Sequence, residues 1–360
     1  TAEAAGYSED VIPEVWDEGR VTVLVMGIDE RSDEDGPWRT DTMILVTADP
    51  AAKTAGMLSI PRDLWVEIPN YGGVHDRINT AHFRGDADHY PGGGGPVLAI
   101  KTVQHNFGLQ VDYYMTINFN AFVMMVDYLG CVPIDVPETI DDPNYPAATG
   151  YGYEPFHIDA GHHCLDGRTL LKYARTRATY GGDFDRAARQ QQVIYAIRDE
   201  VLTSGQLLNL LSRSPEIWET LAGGINTNLT LQQMTSLAML AQEIPEENIC
   251  SAVINGEHVD LATLSDGSQV LIPNHDLIRR LVLDLYSGTG RCAPGAQDLA
   301  ALAAQERATV NILNGTLTEG LATETGDRLS AMGINVIAVG NADRFDYEYT
   351  IIYDHTGKRN

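Results

Sequence analysis

A continuous apolar run, VTVLVMGI at Val21–Ile28, constrains the fold of this chain more than any other feature. Its length and its β-branched residues predict a buried strand. The same signal returns at Thr42–Thr47 and Ala55–Ile60, and in shorter form at Trp65–Ile68. Strand signals further along the chain alternate with helical ones. This alternation predicts an α/β sheet with helical layers on its faces.

The remaining elements of the large domain continue this alternation. Predicted strands are Tyr113–Asn118, Val132–Val136 and Asn248–Ile254. Predicted helices run from Pro96 to about Phe107, over Ala121–Leu129, through LDGRTLLKYAR, and over Asn274–Tyr286 with Asn274 as N-cap. A longer helix begins at Asp183 or Asp185, since either carboxylate can cap it. Residues 141–157 are rich in Pro, Gly and Tyr without a period, which predicts a loop.

The 360 residues have room for one large domain and one small domain. Residues 1–18 are polar and acidic and are expected to form a linker or a disordered arm, and residues 19–287 the large domain. A linker is expected at 288–305, which includes GTGRCAPGAQ. Residues 306–360 then form a small α/β unit that ends abruptly after a strand and is expected to be incomplete. Its predicted elements are the strand Ala308–Leu313, the helix Gly320–Met332, and the strands Asn335–Ala338 and Tyr349–Tyr353.

The chain is strongly acidic, with 24 Lys and Arg against 50 Asp and Glu and a net charge of −26. Such a chain lacks the basic face that nucleic-acid binding requires, so no nucleic-acid partner is expected. No apolar run reaches the roughly 18 residues that a membrane helix needs. No signal peptide is present at the N-terminus either. The sequence as given is therefore expected to be a soluble ectodomain.

Two aspartates mark one edge of the predicted sheet. Asp29 follows the first strand and Asp41 precedes the second. Ligands of open α/β sheets collect beyond the carboxyl ends of strands, so the two carboxylates meet there if the strands are neighbours. One or two carboxylates together with phosphate oxygens are a common ligand set for Mg²⁺. The alternative is that each aspartate only caps a turn.

Basic residues are concentrated in one segment of this acidic chain, since 168–198 contains seven of them and two acidic residues. Arginine presents a rigid fork of donors that matches phosphate oxygens. Arg175 and Arg177 lie on one face only if the backbone between them is extended. Arg186 and Gln190 share a helical face at a spacing of i,i+4. The competing interpretation of this segment is a capped, solvated amphipathic helix. For the loop arginines Arg39, Arg62 and Arg77 it is surface ion pairing with the abundant carboxylates.

Other motifs exclude several kinds of site. The adjacent histidines His162 and His163 lack metal-ligand spacing, and neither a P-loop nor a G-x-S-x-G elbow is present. None of the four cysteines forms a C-x-x-C pair, which argues against a zinc site. In an oxidising compartment, sequence order favours the disulfides Cys131–Cys164 and Cys250–Cys292, and four free buried thiols are the alternative.

Several of these segments resemble motifs of the LytR–CpsA–Psr family of bacterial cell-wall phosphotransferases. The resemblance extends from about Val21 to Leu202, with the motifs in the order of the family. They are VLVMGIDER, WRTDTMILVTADP, MLSIPRD, RINTAHFRGD, VDYYMTINFNAF, VDYLGCVPIDV, LDGRTLLKYARTR and DFDRAARQQQVI. Beyond the linker, VNILNGT and RLSAMGINVIAVGNA resemble the small C-terminal domain of LytR-type members.

The resemblance implies a central mixed β-sheet flanked by helices, with an apolar tunnel that holds a lipid tail. The helices of Val97–Leu129 and Val193–Leu240 would wall this tunnel. The implied ligand is a glycopolymer linked to polyprenyl pyrophosphate, and the implied reaction transfers the glycopolymer with its phosphate to peptidoglycan. The missing N-terminal anchor of the family implies an extracytoplasmic protein attached to the membrane surface.

Residue by residue, the resemblance assigns Asp29 and Asp41 to Mg²⁺. It assigns catalytic roles to Arg62, Arg175, Arg177, Asp183 and Arg186. It assigns pyrophosphate binding to Arg39, Arg62, Arg77, Arg175, Arg177, Arg186 and Gln190. Asp63 and Asp183 remain alternative general bases. Leu64 stands where the family often has Thr, and His82 where Tyr is usual, but neither change removes a charge. Two other functions stay open, a polyprenyl-pyrophosphate pyrophosphatase and a non-catalytic lipid-binding scaffold.

Overall fold

A six-stranded mixed sheet forms the centre of the larger of two compact units, residues 1–292 and 293–360. The computed structural model describes residues 19–30, 36–147, 152–203, 214–221, 223–286, 309–331 and 334–347. The strands of the larger unit are β1 Val21–Ile28, β2 Thr40–Asp49, β3 Thr54–Ser59, β4 Trp65–Glu67, β5 His75–Arg77, β6 Tyr113–Asn118, β7 Val132–Val136, β8 Ile140–Asp142, β9 Phe156–Ile158, β10 Gly161–Leu165, β11 Ile225–Thr227, β12 Ile249–Val253, β13 Val259–Thr263 and β14 Gln269–Pro273. Its helices are α1 Thr80–Ala87, α2 Gly94–Phe107, α3 Phe119–Leu129, α4 Gly167–Arg175, α5 Asp183–Thr203, α6 Ser214–Leu221, α7 Leu231–Glu243 and α8 His275–Tyr286, with a 3₁₀ turn at Glu246–Asn248.

The strand order of the sheet is β11-β6-β1-β2-β3-β12. The three strands β1, β2 and β3 form an antiparallel meander. Strand β6 runs parallel to β1 and β12 runs parallel to β3, while β11 closes the β6 edge in antiparallel orientation. The mixed sheet that the resemblance implies is therefore confirmed.

The two faces of this sheet differ in burial. One face, here called the closed face, carries Leu24, Met26, Met43, Leu45 and Leu58, and each of these side chains is no more than 2% exposed. They pack with apolar residues of α2 and α8 in one core cluster. Burying a side chain of this size stabilises the fold by about 1.5–3 kcal/mol.

The opposite, open face carries the side chains that alternate with those of the closed face. In the central strands it includes Val25, Val46, Met115 and Ile117, all of which remain partly exposed. Register places Val25 beside Met115, and the same alternation puts Val46 on that face. Val23 and Ile44 on the same face are buried, so the open face is exposed only in part, around these four residues.

Helices α5 and α7 reach the open face at its two sides. In α5, the Gln191 Nε2 donates to Ser59 Oγ at 2.9 Å, and the Tyr195 hydroxyl lies 2.7 Å from Ser251 Oγ. In α7, the Gln233 Nε2 donates to the Tyr113 hydroxyl at 2.8 Å. The partly exposed residues of β1, β2 and β6 lie between these two contacts.

A second core cluster lies beside the sheet and supports α4 and α5. It includes Val126 of α3, Val132 of β7, Leu170 and Tyr173 of α4, and Val193 of α5. A disulfide joins Cys131 to Cys164 at one end of the antiparallel pair β7–β10. Cys250 is buried in β12, whereas Cys292 lies outside the described residues, so that second pairing stays a prediction.

The strongest sequence signals match the observed elements. Val21–Ile28, Tyr113–Asn118 and Val132–Val136 form strands with the predicted bounds. Asn274 caps α8 as predicted, because its Oδ1 accepts a hydrogen bond from the backbone N–H of Leu277 at 3.2 Å.

The prediction of one continuous loop over 141–157 is wrong at both of its ends. Asp141 pairs with His157 in the antiparallel strands β8 and β9. These strands are only three residues long, and they are held by their partner rather than by an apolar pattern of their own.

The smaller unit contains two parallel strands, β15 (Thr309–Asn314) and β16 (Asn335–Asn341), and the helix α9 (Leu321–Ala331) between them. The strand predicted at Tyr349–Tyr353 and the linker at 288–305 lie outside the described residues. Across the described ranges, no helix combines the length and the apolar character needed to cross a membrane.

Candidate functional site

A β-bulge places the second of the two predicted aspartates at the sheet edge. Gly27 of β1 pairs with Thr42, but Ile28 pairs with Thr40, so Asp41 is the extra residue of β2 and has no partner on β1. Bulges of this kind commonly re-aim a side chain beside a site. Because β1 and β2 are antiparallel, Asp29 at the end of β1 lies at the same edge as Asp41.

Each of these aspartates is paired with an arginine from another part of the chain. The Arg62 Nη1 lies 2.6 Å from Asp41 Oδ1, and the Arg175 Nη2 lies 3.3 Å from Asp29 Oδ2. Arg62 follows β3, whereas Arg175 is the last residue of α4. All four side chains keep between 21% and 30% of their surface exposed, so a ligand can reach them.

A third carboxylate gathers two further arginines. The guanidinium of Arg186 donates to both oxygens of Asp183 at 3.0 and 3.1 Å, and Arg177 Nε lies 3.0 Å from Asp183 Oδ1. Asp183, Arg186 and Gln190 lie on one face of α5 at i,i+3 and i,i+4 spacing. Arg186 also donates to the backbone oxygen of Asp41 at 3.2 Å, which connects α5 to the sheet edge.

These groups converge on one cleft of about 570 Å³. Of the predicted site residues, its lining contains Asp29, Asp41, Arg62, Arg175, Arg177, Arg186 and Gln190. Helix α4 ends at Arg175 and the backbone of Thr176 is extended, which allows Arg175 and Arg177 to face the same cleft. Asp183 lies next to it, at a smaller void of about 10 Å³ shared with Arg186 and Gln190.

Two other predicted residues are not part of this lining. Arg39 is exposed, and its guanidinium lies 5.7 Å from the centre of the Phe83 ring. Arg77 donates to the Gln269 backbone oxygen at 2.9 Å, and its Nε lies 3.2 Å from Asp63 Oδ1. Asp63 also lies 3.4 Å from Arg62 Nε. The structure thus brings Arg77 to the cleft only indirectly, through Asp63 and Arg62.

Burial and neighbouring charges act on the arginines in different ways. Burial alone lowers the pKa of Arg62, but Asp41 and Asp63 outweigh it and hold the pKa above its ordinary value. Burial lowers the pKa of Arg186 to about 10, and the nearby cations Arg177 and Arg62 oppose the stabilising effect of Asp183. Both residues are cations at neutral pH, and Arg186 is the one most deprived of solvent.

Sequence reasoning missed two aromatic residues that hold Arg175. Its guanidinium lies 3.8 Å from the Phe119 ring centre and 5.8 Å from that of Tyr145, and its Nη1 donates to the Tyr145 hydroxyl at 3.4 Å. Cation–π contacts of this kind fix the plane of a guanidinium. Phe119 directly follows the predicted strand β6, and this position at a strand end could have indicated that it lies near the site. Tyr145 lies in the segment predicted as a loop and gave none.

Arg189 was counted in the basic segment but given no role. It is 7% exposed and donates from Nε to the Tyr173 oxygen at 3.2 Å, from Nη1 to Thr179 Oγ1 at 3.0 Å, and from Nη2 to the Thr176 oxygen. These bonds hold the segment on which Arg175 and Arg177 lie. Arg189 therefore positions the cleft arginines from behind.

The donor set at the sheet edge suits a hard divalent cation that is shared with a ligand. Among the described residues, no group of three or more His, Cys, Asp or Glu side chains could hold a metal ion unaided. Asp29 and Asp41 offer two carboxylates in one cleft, and Mg²⁺ typically takes one or two carboxylates together with phosphate oxygens. The residues present therefore fit Mg²⁺ bound together with a phosphorylated ligand.

The known proteins that are similar to this chain point to one family. Residues 4–283 match the LytR_cpsA_psr family, and residues 307–360 match the LytR cell envelope-related transcriptional attenuator domain. The chain is 30% identical over 260 residues to regulatory protein MsrR of Staphylococcus aureus, covering 72% of each chain. It is 34% identical over 218 residues to the polyisoprenyl-teichoic acid–peptidoglycan teichoic acid transferase TagU of Oceanobacillus iheyensis, covering 60% of this chain and 61% of TagU.

A solved structure, TagT bound to LI-WTA, has a similar fold. It aligns with a TM-score of 0.55 and 25% identity over 76% of this chain and 92% of TagT. The family match covers most of the chain, and its limits enclose the mixed sheet and every cleft residue described above. The chain belongs to the LytR–CpsA–Psr family.

Proposed function

We propose that this protein transfers a glycopolymer, together with one phosphate, from a polyprenyl pyrophosphate carrier to peptidoglycan. The observation that carries the proposal is the cleft in which four arginines and the Asp29–Asp41 pair converge. Arginines and Mg²⁺ are common partners of phosphate oxygens, and the cleft offers the residues for both. The printed name of TagU, a teichoic acid transferase, supports the same reaction class.

The arginines would bind the pyrophosphate and stabilise the charge that develops on it. Phosphoryl transfer depends mainly on positioning and on neutralising charge, rather than on covalent help from the protein. Arg62, Arg175 and Arg186 are already ordered by carboxylate partners, so little reorganisation is needed when the ligand binds. Arg177 is more exposed, at 44%, and is placed to meet the ligand at the mouth of the cleft.

Asp29 and Asp41 would hold Mg²⁺, which would supply additional neutralisation of the phosphate oxygens when bound. To do so, each carboxylate has to share or release its arginine partner. The freed guanidinium of Arg62 or Arg175 then has a phosphate oxygen available in the same cleft. In this scheme the ion pairs of the ligand-free protein hold the arginines close to the positions at which they bind phosphate.

The reaction is a substitution at phosphorus. The oxygen of an acceptor sugar hydroxyl forms a bond to the phosphorus that carries the glycopolymer. The bond from this phosphorus to the bridging oxygen breaks, and polyprenyl phosphate leaves with that oxygen. The hydroxyl proton must pass to a base or to water.

Neither of the two carboxylates considered as a base is free in this structure. Asp183 pairs with Arg177 and Arg186, and Asp63 pairs with Arg62 and Arg77. These residues therefore serve better as holders of arginines, which leaves water as the simplest acceptor of the proton.

The lipid tail would lie on the open face of the sheet. Val25, Val46 and Met115 are apolar, belong to central strands and are nevertheless partly exposed. Central strands of a sheet covered by helices are normally buried on both faces. An isoprenoid chain lying between α5 and α7 would complete that burial. A lipid carrier of this kind is a membrane component, so we place the protein outside the cytoplasm at the membrane surface.

A reconstituted reaction tests this proposal. The full chain is incubated with a polyprenyl-pyrophosphate-linked glycan, Mg²⁺ and peptidoglycan, and transfer is followed by label incorporated into the polymer. Asp41→Ala should abolish turnover. Asp49→Ala is the matched control, because Asp49 lies on the same strand and also pairs with an arginine, Arg20 at 3.1 Å, but is not in the cleft lining.

The outcomes separate three functions. Transfer that depends on Asp41 supports the transferase. Release of phosphate at the same rate without acceptor would instead identify a pyrophosphatase. Tight binding of the lipid with no turnover of any kind would leave only the lipid-binding scaffold, and would refute the enzymatic proposal.

A further inference from the structure

One wall of the cleft differs in chemistry from the arginine end. It consists of Asp142–Pro146, here called the DPNYP wall after its sequence. Pro143, Asn144 and Pro146 are exposed and carry no charge. Elsewhere in the lining, Arg62 and Arg186 donate to Asp41. Arg175 reaches the DPNYP wall at the Tyr145 hydroxyl, so a ligand that fills the cleft meets cations and, next to them, an uncharged amide.

The DPNYP wall is held on both sides of Asn144. The Thr176 hydroxyl donates to Asp142 Oδ2 at 2.7 Å, which ties the wall to the segment between Arg175 and Arg177. On the other side, Tyr145 is 4% exposed, and its backbone oxygen accepts from Glu154 N at 2.8 Å. The wall is thus ordered before any ligand arrives.

Asn144 is left with an unused amide. Its backbone N–H donates to Asp142 Oδ1 at 3.2 Å, but its side chain makes no hydrogen bond within the described part of the chain. An amide offers two N–H donors and a carbonyl acceptor. Pro143 and Pro146 limit the backbone around it, which lowers the entropy lost when a ligand is bound.

We propose that the DPNYP wall binds a glycosyl unit adjacent to the pyrophosphate, with Asn144 as its hydrogen-bonding contact. The inference rests on the proposed function and names the part of the substrate that this wall meets. Sugar hydroxyls both donate and accept, as an amide does, and the C–H faces of a sugar ring can pack on proline. The exposed Asn144 amide between the two prolines suits a sugar better than an isoprenoid, and the segment carries no cation of its own for a further phosphate.

The volume of the cleft agrees with such a ligand. Pockets that enclose ligands of drug size measure roughly 300–1,000 Å³, and this one measures about 570 Å³. That is more than a pyrophosphate group requires. A glycosyl unit on the DPNYP wall would occupy the remaining space while the phosphates stay with the arginines.

The glycosyl unit has two possible sources, the first sugar of the donor and a sugar of the peptidoglycan acceptor. Two probes distinguish them in titrations of the full chain with Mg²⁺: a short-chain polyprenyl pyrophosphate without sugar, and the same lipid with one N-acetylhexosamine. The acceptor is examined separately, as the KM for a soluble muropeptide glycan in the transfer reaction. The variant is Asn144→Ala. Asp141→Asn is the control, since Asp141 lies in the same hairpin, is exposed and is not in the cleft lining.

For a donor sugar, Asn144→Ala should weaken binding of the glycosylated lipid about three- to tenfold, as expected for one or two lost hydrogen bonds. Binding of the sugar-free lipid should stay within twofold of wild type, and Asp141→Asn should change neither. A loss confined to the acceptor KM assigns the wall to the peptidoglycan sugar and supports the glycosyl site equally.

The inference is overturned if Asn144→Ala weakens both lipids to the same degree, because the residue would then only shape the cleft. It is also overturned if neither lipid binding nor the acceptor KM changes. Failure of the wild-type protein to bind the sugar-free lipid is a different result. It would refute the proposed function itself, and with it the assignment of the wall.

Discussion

Replacing Arg189 tests whether the cleft arginines are positioned from behind. In Arg189→Met the guanidinium is lost, together with its hydrogen bonds to the backbone oxygens of Tyr173 and Thr176 and to the Thr179 hydroxyl. Methionine occupies a similar length of the cavity. The change therefore removes the polar contacts while keeping most of the packing.

The expected loss of stability follows from the groups left behind. Tyr173 and Thr176 are buried, so their carbonyl oxygens lose partners that water does not readily replace. Each unpaired carbonyl oxygen costs about 1–3 kcal/mol of stability. Removal of the desolvated Arg189 charge offsets part of this cost. Burial lowers the pKa of Arg189, a sign that its charge is itself poorly solvated. We expect a net loss of about 2–4 kcal/mol.

The expected effect on binding is separate from the effect on stability. Without Arg189, the segment carrying Arg175 and Arg177 has to be ordered by the ligand. We expect this ordering to cost at least about 1.4 kcal/mol of binding free energy, which corresponds to a tenfold weaker Kd. Isothermal titration with a polyprenyl pyrophosphate, at a temperature well below the midpoint of unfolding, measures this loss.

Arg198→Met provides the matched control. The guanidinium of Arg198 also donates to two backbone oxygens, those of Ala241 and Ile244, but it is not in the cleft lining. The Arg198→Met variant should lose stability to a similar degree and keep its affinity for the polyprenyl pyrophosphate. If the two variants lose affinity equally, or if Arg189→Met binds as wild type does, the positioning role is refuted.

Three further predictions follow from the same structure. Arg177→Ala should abolish transfer from the polyprenyl pyrophosphate while thermal unfolding stays cooperative; turnover at the wild-type rate would exclude a catalytic role. Burial lowers the pKa of His82 below 6.5, so the unfolded chain takes up a proton that the folded protein resists. The free energy of unfolding should fall as pH drops below about 6.5, and His82→Asn should flatten this part of a denaturant-derived pH profile. Replacing both Cys131 and Cys164 by serine should cost roughly 3–4 kcal/mol of stability, because the disulfide closes a loop with a sequence separation of 33; an unchanged midpoint in urea would contradict this.

The central strands could be predicted because their own residues determine them. Val21–Ile28 is largely apolar and lies in the middle of the sheet, where six of its eight residues are buried. Strands of three residues could not be predicted in this way. β8 and β9 pair across a long irregular segment, and neither has enough residues to show a period.

The position of Asp41 shows a second limit of sequence reasoning. Strict alternation along β2 would pair Asp41 with Ile28 and direct its carboxylate to the closed face. The bulge instead places Thr40 opposite Ile28 and leaves Asp41 free to meet Arg62. No residue type in this segment indicates a bulge. The spacing therefore predicted that Asp29 and Asp41 share one edge of the sheet, but it did not predict the orientation of Asp41.

The arginines were identified in part by type and in part by resemblance. The short spacing of Arg175 and Arg177 predicted a shared direction only if the helix ended between them, and α4 does end at Arg175. The DPNYP wall and the two rings around Arg175 depend on contacts between distant segments. Such contacts are decided by tertiary packing, which leaves no local signature in a single sequence.

The unequal burial of the two sheet faces has a consequence for how this family can diversify. Substitutions at Leu24 or Met43 on the closed face would open cavities and cost several kcal/mol of stability. Substitutions at Val25 or Met115 on the open face act on side chains that folding leaves partly exposed, so they cost less. If the isoprenoid lies there, as we propose, the carrier length a member accepts can drift between species while the scaffold keeps its stability.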